Sequence, residues 1–476
     1  MDVNPKISKR DPKISERDPF STLADSLLYI IVSFLPFKEA VRTSILSKQW
    51  RYIWRSTANI ELDESFFVNH EESDQIREER RRDFLEFAKE WIRSYQEPTV
   101  KNFAFSCSKP GKFLTVIQEF IKFALKRNTK GLALDFSDPE WKENDTPSGA
   151  LNLPSEFYKH VSLESLKLVA CNLDVSAFNF RNIKDLSLGW IELNESSMKT
   201  LLNNCPLLES LCLKNCWNMF QLIITDTINP RLKKFVLEKC IFFGGPNWVY
   251  IDGPSLRFFK YSGLVGYFKM ENQRCIEEAE LDFGSEPEFD MLGDLLCELL
   301  EQLFSAKVLT VDSVFLQVVP CGTEPLRTSN PLNTKHLILK TSIHNNELLG
   351  IKFLLESCPF LETLTIDLGP SRIFPDYVPP FQFTPAYCWT RDLVLHKCLM
   401  RSMKVIEVKG FKGTMNELLF LKYLLVLGLL LEELKIYLSN DVDEDGNNIE
   451  TYRKRAMERV LPSIISSKKL QINFMN

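Results

Sequence analysis

Histidine is scarce, with five residues in 476, and none of the five stands in an HExxH or other metal-ligand spacing. The twelve cysteines include no CxxC pair, which removes a zinc ribbon and a dithiol redox centre. No glycine-rich phosphate loop, nucleophile elbow or kinase signature occurs. Positive charge is not in excess: the formal net charge is -5, so the basic footprint favoured by nucleic acid and anionic membranes is missing. Long apolar runs are missing too. The longest near the end, Tyr423 to Leu431, falls far short of the roughly 20 residues that span a bilayer, and the opening MDVNPKISKRDPKISERDPF has no apolar signal core. These absences predict an intracellular protein, in nucleus or cytoplasm, with no cofactor, no metal, no catalytic residue, no nucleic-acid partner and no membrane partner.

What is present is globular: 45% hydrophobic and 25% charged residues, in a chain long enough for several domains. Residues 1–18, with the near-duplicates PKISKRD and PKISERD, carry too little apolar surface to fold alone and read as a disordered arm. DVDEDG from Asp441 has the first spacings of a calcium loop, but its twelfth position is Tyr452 rather than a bidentate glutamate, so a solvated acidic loop is expected.

From Thr22 the chain reads TLADSLLYIIVSFLPFKEAVRTSILSKQWRYIWRS. Thr22 and Asp25 fit a capping box, and Leu27, Ile30, Ile31, Phe34 and Leu35 recur at helical spacing until Pro36. Lys38 to Ser44 predicts a second short turn, and Ser47 is placed to cap a third helix with Trp50 and Trp54 on one face. Three helices this small cannot hide so much apolar surface among themselves, so a partner protein is expected. The pieces LADSLL, IIVSFLP, AVRTSILSKQW and IWRS resemble the F-box across residues 19 to 56. That resemblance implies docking onto the Skp-type adaptor of a cullin-RING ubiquitin ligase, with Leu23, Ala24, Leu27, Ile31, Leu35, Val41, Leu46, Trp50 and Trp54 in or behind the interface. Two positions depart from the family pattern: Ala24 replaces a helix-starting proline and Gln49 a basic residue.

The arginines of IREERRRDFLEFAKEWIRSY alternate with acids, while Phe84, Ala88, Trp91, Ile92 and Tyr95 form an apolar stripe, which predicts a helix with one solvated face. From residue 100 a different pattern recurs: apolar, two residues, apolar, one residue, apolar. Its middle anchors are Phe103, Leu132, Leu166, Leu186, Leu211, Phe235, Phe259, Ala279, Leu309, Leu337, Leu364 and Leu393, spaced by 20 residues (Leu166 to Leu186) up to 34 (Leu132 to Leu166). Such a period marks a solenoid with one short strand per unit. Cys171, Cys216, Cys240 and Cys398 fall three residues after a third anchor, where leucine-rich repeats turn the chain, and Cys205 and Cys358 fall six before a middle anchor. MKTLLNNCPLLESLCL and IKFLLESCPFLETLTI superimpose as helices leading into strands.

NELLFLKYLLVLGLLLEELKI copies NELLGIKFLLESCPFLETLTI at an offset of 70 residues, from Asn346 to Asn416, as a terminal repeat. TRDLVLHKC and SMKVIEV place anchors only 13 residues apart, Leu393 and Ile406, and predict a strand pair. Residues 390 to 474 resemble the FBD domain that closes many plant F-box proteins. The expected class is therefore α/β: a three-helix F-box (19–60), a connecting helical segment (61–99), a curved leucine-rich-repeat solenoid (100–374), a proline-rich loop (375–389) and an FBD cap (390–476). Strand alternation points Lys167, Ser187, Cys212, Val236, Lys260, Glu280, Thr310, Ile338 and Thr365 away from the core, as candidate contacts for an unknown target protein. Together with the F-box this implies a non-catalytic substrate receptor, linked through the adaptor to cullin and RING subunits. The competing readings are a repeat scaffold outside any ligase, and an enzyme using Cys212 or His396, although His396 reads as a strand-surface residue.

Overall fold

Every middle anchor from Phe103 to Leu364 lies in a short strand, and from Leu166 onward consecutive anchors meet side by side. The structure, a computed structural model, describes residues 23–143, 145–147, 151–244, 247–284, 292–319, 327–369, 389, 395–442, 448–459 and 465–475. The arm at 1–18, Thr22, the proline-rich loop apart from Trp389, the anchor Leu393 and most of DVDEDG lie outside them. The chain divides into two compact units, the first reaching Cys107 and including Phe113–Leu134, the second comprising Ser108–Lys112 and Asp135 onward.

In the first unit the helices Asp25–Ser33 and Phe37–Arg42 precede two 3-10 turns, Thr43–Ile45 and Trp50–Ser56. A strand that the repeat pattern missed follows at Asn59–Asp63, where Ile60 and Leu62 alternate with polar residues; it pairs in parallel with Asn102–Ser106, setting Ile60 beside Phe103. The expected helical connection is thus a strand, a short turn and then the helix Asp74–Ser94, which buries Phe84, Leu85, Ala88 and Trp91 as its stripe requires. Arg81 on that helix is buried and places Nε 3.0 Å from Glu64 Oε2, so neither charge is left without a partner.

In the second unit the anchors are direct partners from Leu166 through Leu186, Leu211, Phe235, Phe259, Ala279, Leu309 and Leu337 to Leu364, all fully buried. A one-residue slip would turn each of them to the opposite face, so this row holds the register of an open parallel sheet. The left-handed residues Ala170, Asn215 and Lys239 end three of these strands, with φ of 56°, 50° and 50°. The next residue is a cysteine each time, and its thiol donates back to the last strand carbonyl: Cys171 to Val169, Cys216 to Lys214 and Cys240 to Glu238, at 3.5, 3.6 and 3.5 Å. Burial pushes the thiols of Cys205 and Cys398 up to about 12 and raises Cys171 and Cys358 well above the ordinary value, which leaves them inert as nucleophiles.

Three features differ from expectation. Between several strands the chain forms no helix but a second parallel ladder, Leu222–Thr225 with Trp248–Asp252 with Tyr267–Glu271, because LIIT, WVYID and YFKME are short and rich in β-branched and aromatic residues, and their burial alternates along each strand. The partner of Leu364 is Ile406, and the strand Val405–Phe411 has its second edge against Glu433–Leu438. Both edges of that strand are thus occupied by described strands. Cys398 lies in the helix Lys397–Arg401 instead of a strand turn, its thiol donating to Leu355 O at 3.3 Å, and His396 is that helix's buried N-cap residue rather than a strand-surface one.

The duplicated NELL segments both form helices, Leu348–Ser357 and Met415–Leu427, and their glutamates do the same work. Buried Glu347 accepts from the His344 amide at 2.6 Å, and buried Glu417 accepts from the amides of Lys412 and Gly413 at 2.9 and 2.7 Å. The free edge of Tyr267–Glu271 is closed by one side chain: Gln302 donates to Phe268 O at 3.0 Å and accepts from the Met270 amide at 2.6 Å. Gln302→Ala strips both backbone groups of that partner and is expected to lower stability by about 1–3 kcal/mol in urea denaturation. An unchanged midpoint would show that the edge does not depend on it.

Candidate protein-binding site

The helix Asp25–Ser33 is apolar nearly all round, so one face must find cover elsewhere. Leu28 and Val32 point inward and join Phe37, Ala40, Trp50, Ile53 and Trp54 in a small core. On the opposite face Leu27, Ile30 and Phe34, spaced i, i+3 and i+7, are 48%, 53% and 82% exposed. Ile45 and Leu46, on and just after the first 3-10 turn, are exposed as well, as is Tyr52. Exposed apolar side chains of this size, on the first helix and on the two 3-10 turns, mark a surface for another protein.

The helix start differs from the expected capping box. Ala24 holds the N-cap position without a side-chain bond, and Asp25 is the first helical residue. Gln49 does the fastening: its amide donates to Leu23 O and to Asp25 Oδ1, each at 2.9 Å. Residues Trp50–Ser56 are a 3-10 helix with Gln49 as N-cap, rather than an α-helix capped by Ser47. With three residues per turn, i and i+3 eclipse, so Trp50 shares its side with Ile53, and Trp54 turns elsewhere. It lies 6.1 Å from Phe37 and stacks 6.2 Å from Trp91, with Phe37 and Trp91 themselves 5.7 Å apart, while its indole N–H donates to Arg51 O at 3.1 Å. Trp54 therefore fastens the small helices to the long helix Asp74–Ser94.

Of the residues singled out from sequence, Ala24, Leu27 and Leu46 are exposed, Leu23, Ile31, Leu35 and Val41 are half-buried, and Trp50 and Trp54 are buried. The two tryptophans thus belong to the packing behind the surface. Sequence reasoning left Ile30, Phe34, Ile45 and Tyr52 out of the site; the spacing of Ile30 and Phe34 against Leu27 was the available signal.

The expected target contacts form one continuous row across the sheet, Lys167 beside Ser187, then Cys212, Val236, Lys260, Glu280, Thr310, Ile338 and Thr365. Val236, Thr310 and Thr365 are nevertheless buried. Alternation fixes which face a side chain takes, while strands about 4.8 Å apart let long neighbours cover a short one. Thr365 Oγ1 sits 2.8 Å from His336 Nε2 and donates to Glu407 at 3.4 Å. Lys260 Nζ lies 2.8 Å from Glu238 and 3.4 Å from Glu280, and Glu280 also meets Lys340 at 2.8 Å. Burial raises the Cys212 pKa, so its thiol is not activated, and His396 Nδ1 is 3.1 Å from Glu356 Oε2. Among the described residues no group of three or more His, Cys, Asp or Glu is placed to hold a metal ion, and no helix is long and apolar enough to cross a membrane.

At the edge of this face Asp312 caps the helix Ser313–Val318, accepting from the Phe315 amide at 3.1 Å. Burial, reinforced by the nearby Asp282 charge and opposed by backbone hydrogen bonds, pushes its carboxyl up to about 7 from 3.8. The folded chain then holds this proton more tightly than the unfolded one, so the contribution to stability is complete below about pH 4 and is lost as pH rises towards 7. Asp312→Asn keeps an acceptor for the amide and removes the titration. Across pH 4 to 7 the urea midpoint of the native chain should fall relative to that variant; parallel profiles would refute the assignment.

Residues 20–61 match the F-box domain family, residues 118–295 the LRR repeats of the family described as FBD-associated F-box protein At5g56370, and residues 395–436 the FBD family. F-box protein At3g62230 of Arabidopsis thaliana is 34% identical over 431 residues, covering 89% of this chain and 92% of its own. A second relative from that plant, carrying an F-box/LRR-repeat name, is 34% identical over 452 residues, 90% of this chain and 92% of its own. F-box/LRR-repeat protein At3g58940 is 27% identical over 445 residues, 91% of this chain and 67% of its own.

Proposed function

Because the chain belongs to the F-box/leucine-rich-repeat family with an FBD module, we propose that it is the substrate-receptor subunit of an SCF-type ubiquitin ligase. Its F-box and repeats make it a protein-interaction adaptor. In this reading the Skp-type adaptor covers Leu27, Ile30 and Phe34, the stripe that the chain itself leaves in water, and that stripe is the observation that carries the reading. Cullin and RING subunits attach through the adaptor, and the repeats hold a target protein. The contribution is proximity: a target lysine held near the charged ubiquitin carrier reacts as if intramolecular, and no side chain of this protein takes part in covalent chemistry. The reading places the chain inside the cell, where such ligases operate.

Mixing the full chain with a purified Skp-type adaptor tests this. Co-elution as a stoichiometric complex in size-exclusion chromatography is expected; separate elution at micromolar concentrations would leave the alternative, a repeat scaffold outside any ligase.

A further inference from the structure

A second exposed apolar surface lies far along the chain, in the repeats. Phe220, Ile223, Phe243, Trp248, Leu264 and Tyr267 are all exposed, Phe243 by 74%. The back ladder gathers them. Leu222, Ile224, Val249, Ile251, Phe268 and Met270 turn into the core, so the alternate residues Ile223, Trp248 and Tyr267 turn outward. Trp248 and Tyr267 are register partners, and their rings stack with centroids 5.1 Å apart. Phe220 immediately precedes this ladder, its ring 3.4 Å from where a Cβ on Gly244 would stand, and the Phe243 amide donates to Met219 O at 2.6 Å.

The other end of the same outward face is acidic. Thr225, Asp252 and Glu271 are register partners, with Asp226 next in sequence. Glu271 is engaged by Lys269 at 2.8 Å and by the Tyr250 hydroxyl at 2.9 Å. Asp252 accepts only from the Asn272 amide at 2.9 Å, and neither Asp226 nor Asp252 has an ion-pair partner among the described residues. The surface therefore runs from stacked aromatics to the carboxylate of Asp252, which has no ion-pair partner among the described residues, four residue steps from Trp248 and roughly 13 Å away at the rise of an extended strand.

We propose that this outer face of the back ladder is a target-recognition surface, and that it takes an extended protein segment with a bulky apolar anchor and a basic residue about four positions apart. The proposal rests on the receptor reading above. Trp and Tyr are the side chains most often found as energetic anchors at protein interfaces, and the carboxylates select the charge at the far end of the segment. The main sheet face offers less: three of its central side chains are buried, and Lys260, Glu280 and Lys340 are already paired.

The test uses the full chain with its adaptor and a random displayed library of ten-residue peptides. Selected peptides should converge on an aromatic or large aliphatic residue with Lys or Arg four positions away. Binding of one such synthetic peptide, followed by fluorescence polarisation, should fall tenfold or more in Trp248→Ala and severalfold in Asp252→Asn. Both side chains are outward, so melting curves of the variants should match the parent. Peptides that bind both variants as well as the parent would overturn the proposal. So would absence of convergence, or binding of soluble oligosaccharides at Trp248 in place of peptides. Adaptor binding is measured on the same samples: intact adaptor binding without peptide selection removes this proposal alone, whereas failure of the parent chain to bind adaptor removes the receptor reading.

Discussion

Replacing Leu27 and Phe34 together by Asp should lower the affinity for a Skp-type adaptor about a thousandfold while leaving the fold intact. Each of these side chains is spread on the surface, Phe34 with 82% of its area in water, so neither supports the core. An apolar anchor in the centre of an interface costs about 2 kcal/mol or more when lost, and each 1.4 kcal/mol is about tenfold in affinity. A charge placed there adds the cost of burying a carboxylate without a partner. Surface substitutions of this kind change folding stability by only about 0.5 kcal/mol. The two readouts therefore separate: calorimetric titration with the adaptor should collapse, and the denaturation midpoint should stay. Equal binding by the double variant would mean that the adaptor, if it binds, uses another surface.

Trp54→Ala should have the largest effect on stability. The indole is 8% exposed and packs against both Phe37 and Trp91, which also meet each other, so its removal opens a cavity between the short helices and Asp74–Ser94. Truncating a buried Trp costs about 3–5 kcal/mol, a large share of the usual 5–15 kcal/mol of a folded domain. Trp54→Phe keeps an aromatic ring against the same neighbours and should lose much less. Hydrogen exchange should localise the damage, with amides of Asp25–Ser33 and Phe37–Arg42 losing protection first. A loss below about 1 kcal/mol would contradict the role assigned to this residue. The consequence for function is indirect: adaptor binding should weaken because the helices that present Leu27 and Phe34 are no longer held.

The parts of this structure that could be read in the sequence are those where one pattern has one physical solution. The spacing around Leu211, Phe235 and Phe259 specifies a strand whose anchors must stack, and they do. The doubled NELL segment specifies one element used twice, and both copies are helices, Leu348–Ser357 and Met415–Leu427. Where two solutions fit one pattern, the sequence was ambiguous. In DSLLYIIVS both faces are apolar, so periodicity alone could not show that Leu28 faces the core and Leu27 the solvent. Spacing i, i+4 at Trp50 and Trp54 suits an α-helix, but the chain takes a 3-10 path that sends them to different neighbours. Short apolar runs such as WVYID were hidden because they lie outside the dominant repeat motif and suit a strand or a buried helix alike. Exposure on the sheet face depends on neighbouring rungs, which a single strand cannot reveal; hence Thr365, expected outside, is enclosed by His336 and Glu407.

The central claim is that a foreign protein covers the outer face of the first helix. Hydroxyl-radical footprinting of the full chain, alone and with a saturating Skp-type adaptor, measures this at individual side chains. Phe34, Leu27, Ile30 and Leu46 should oxidise readily in the free chain and become strongly protected in the mixture, with Trp54 unreactive in both. Unchanged oxidation of Phe34 and Leu27 at saturating adaptor would contradict the account.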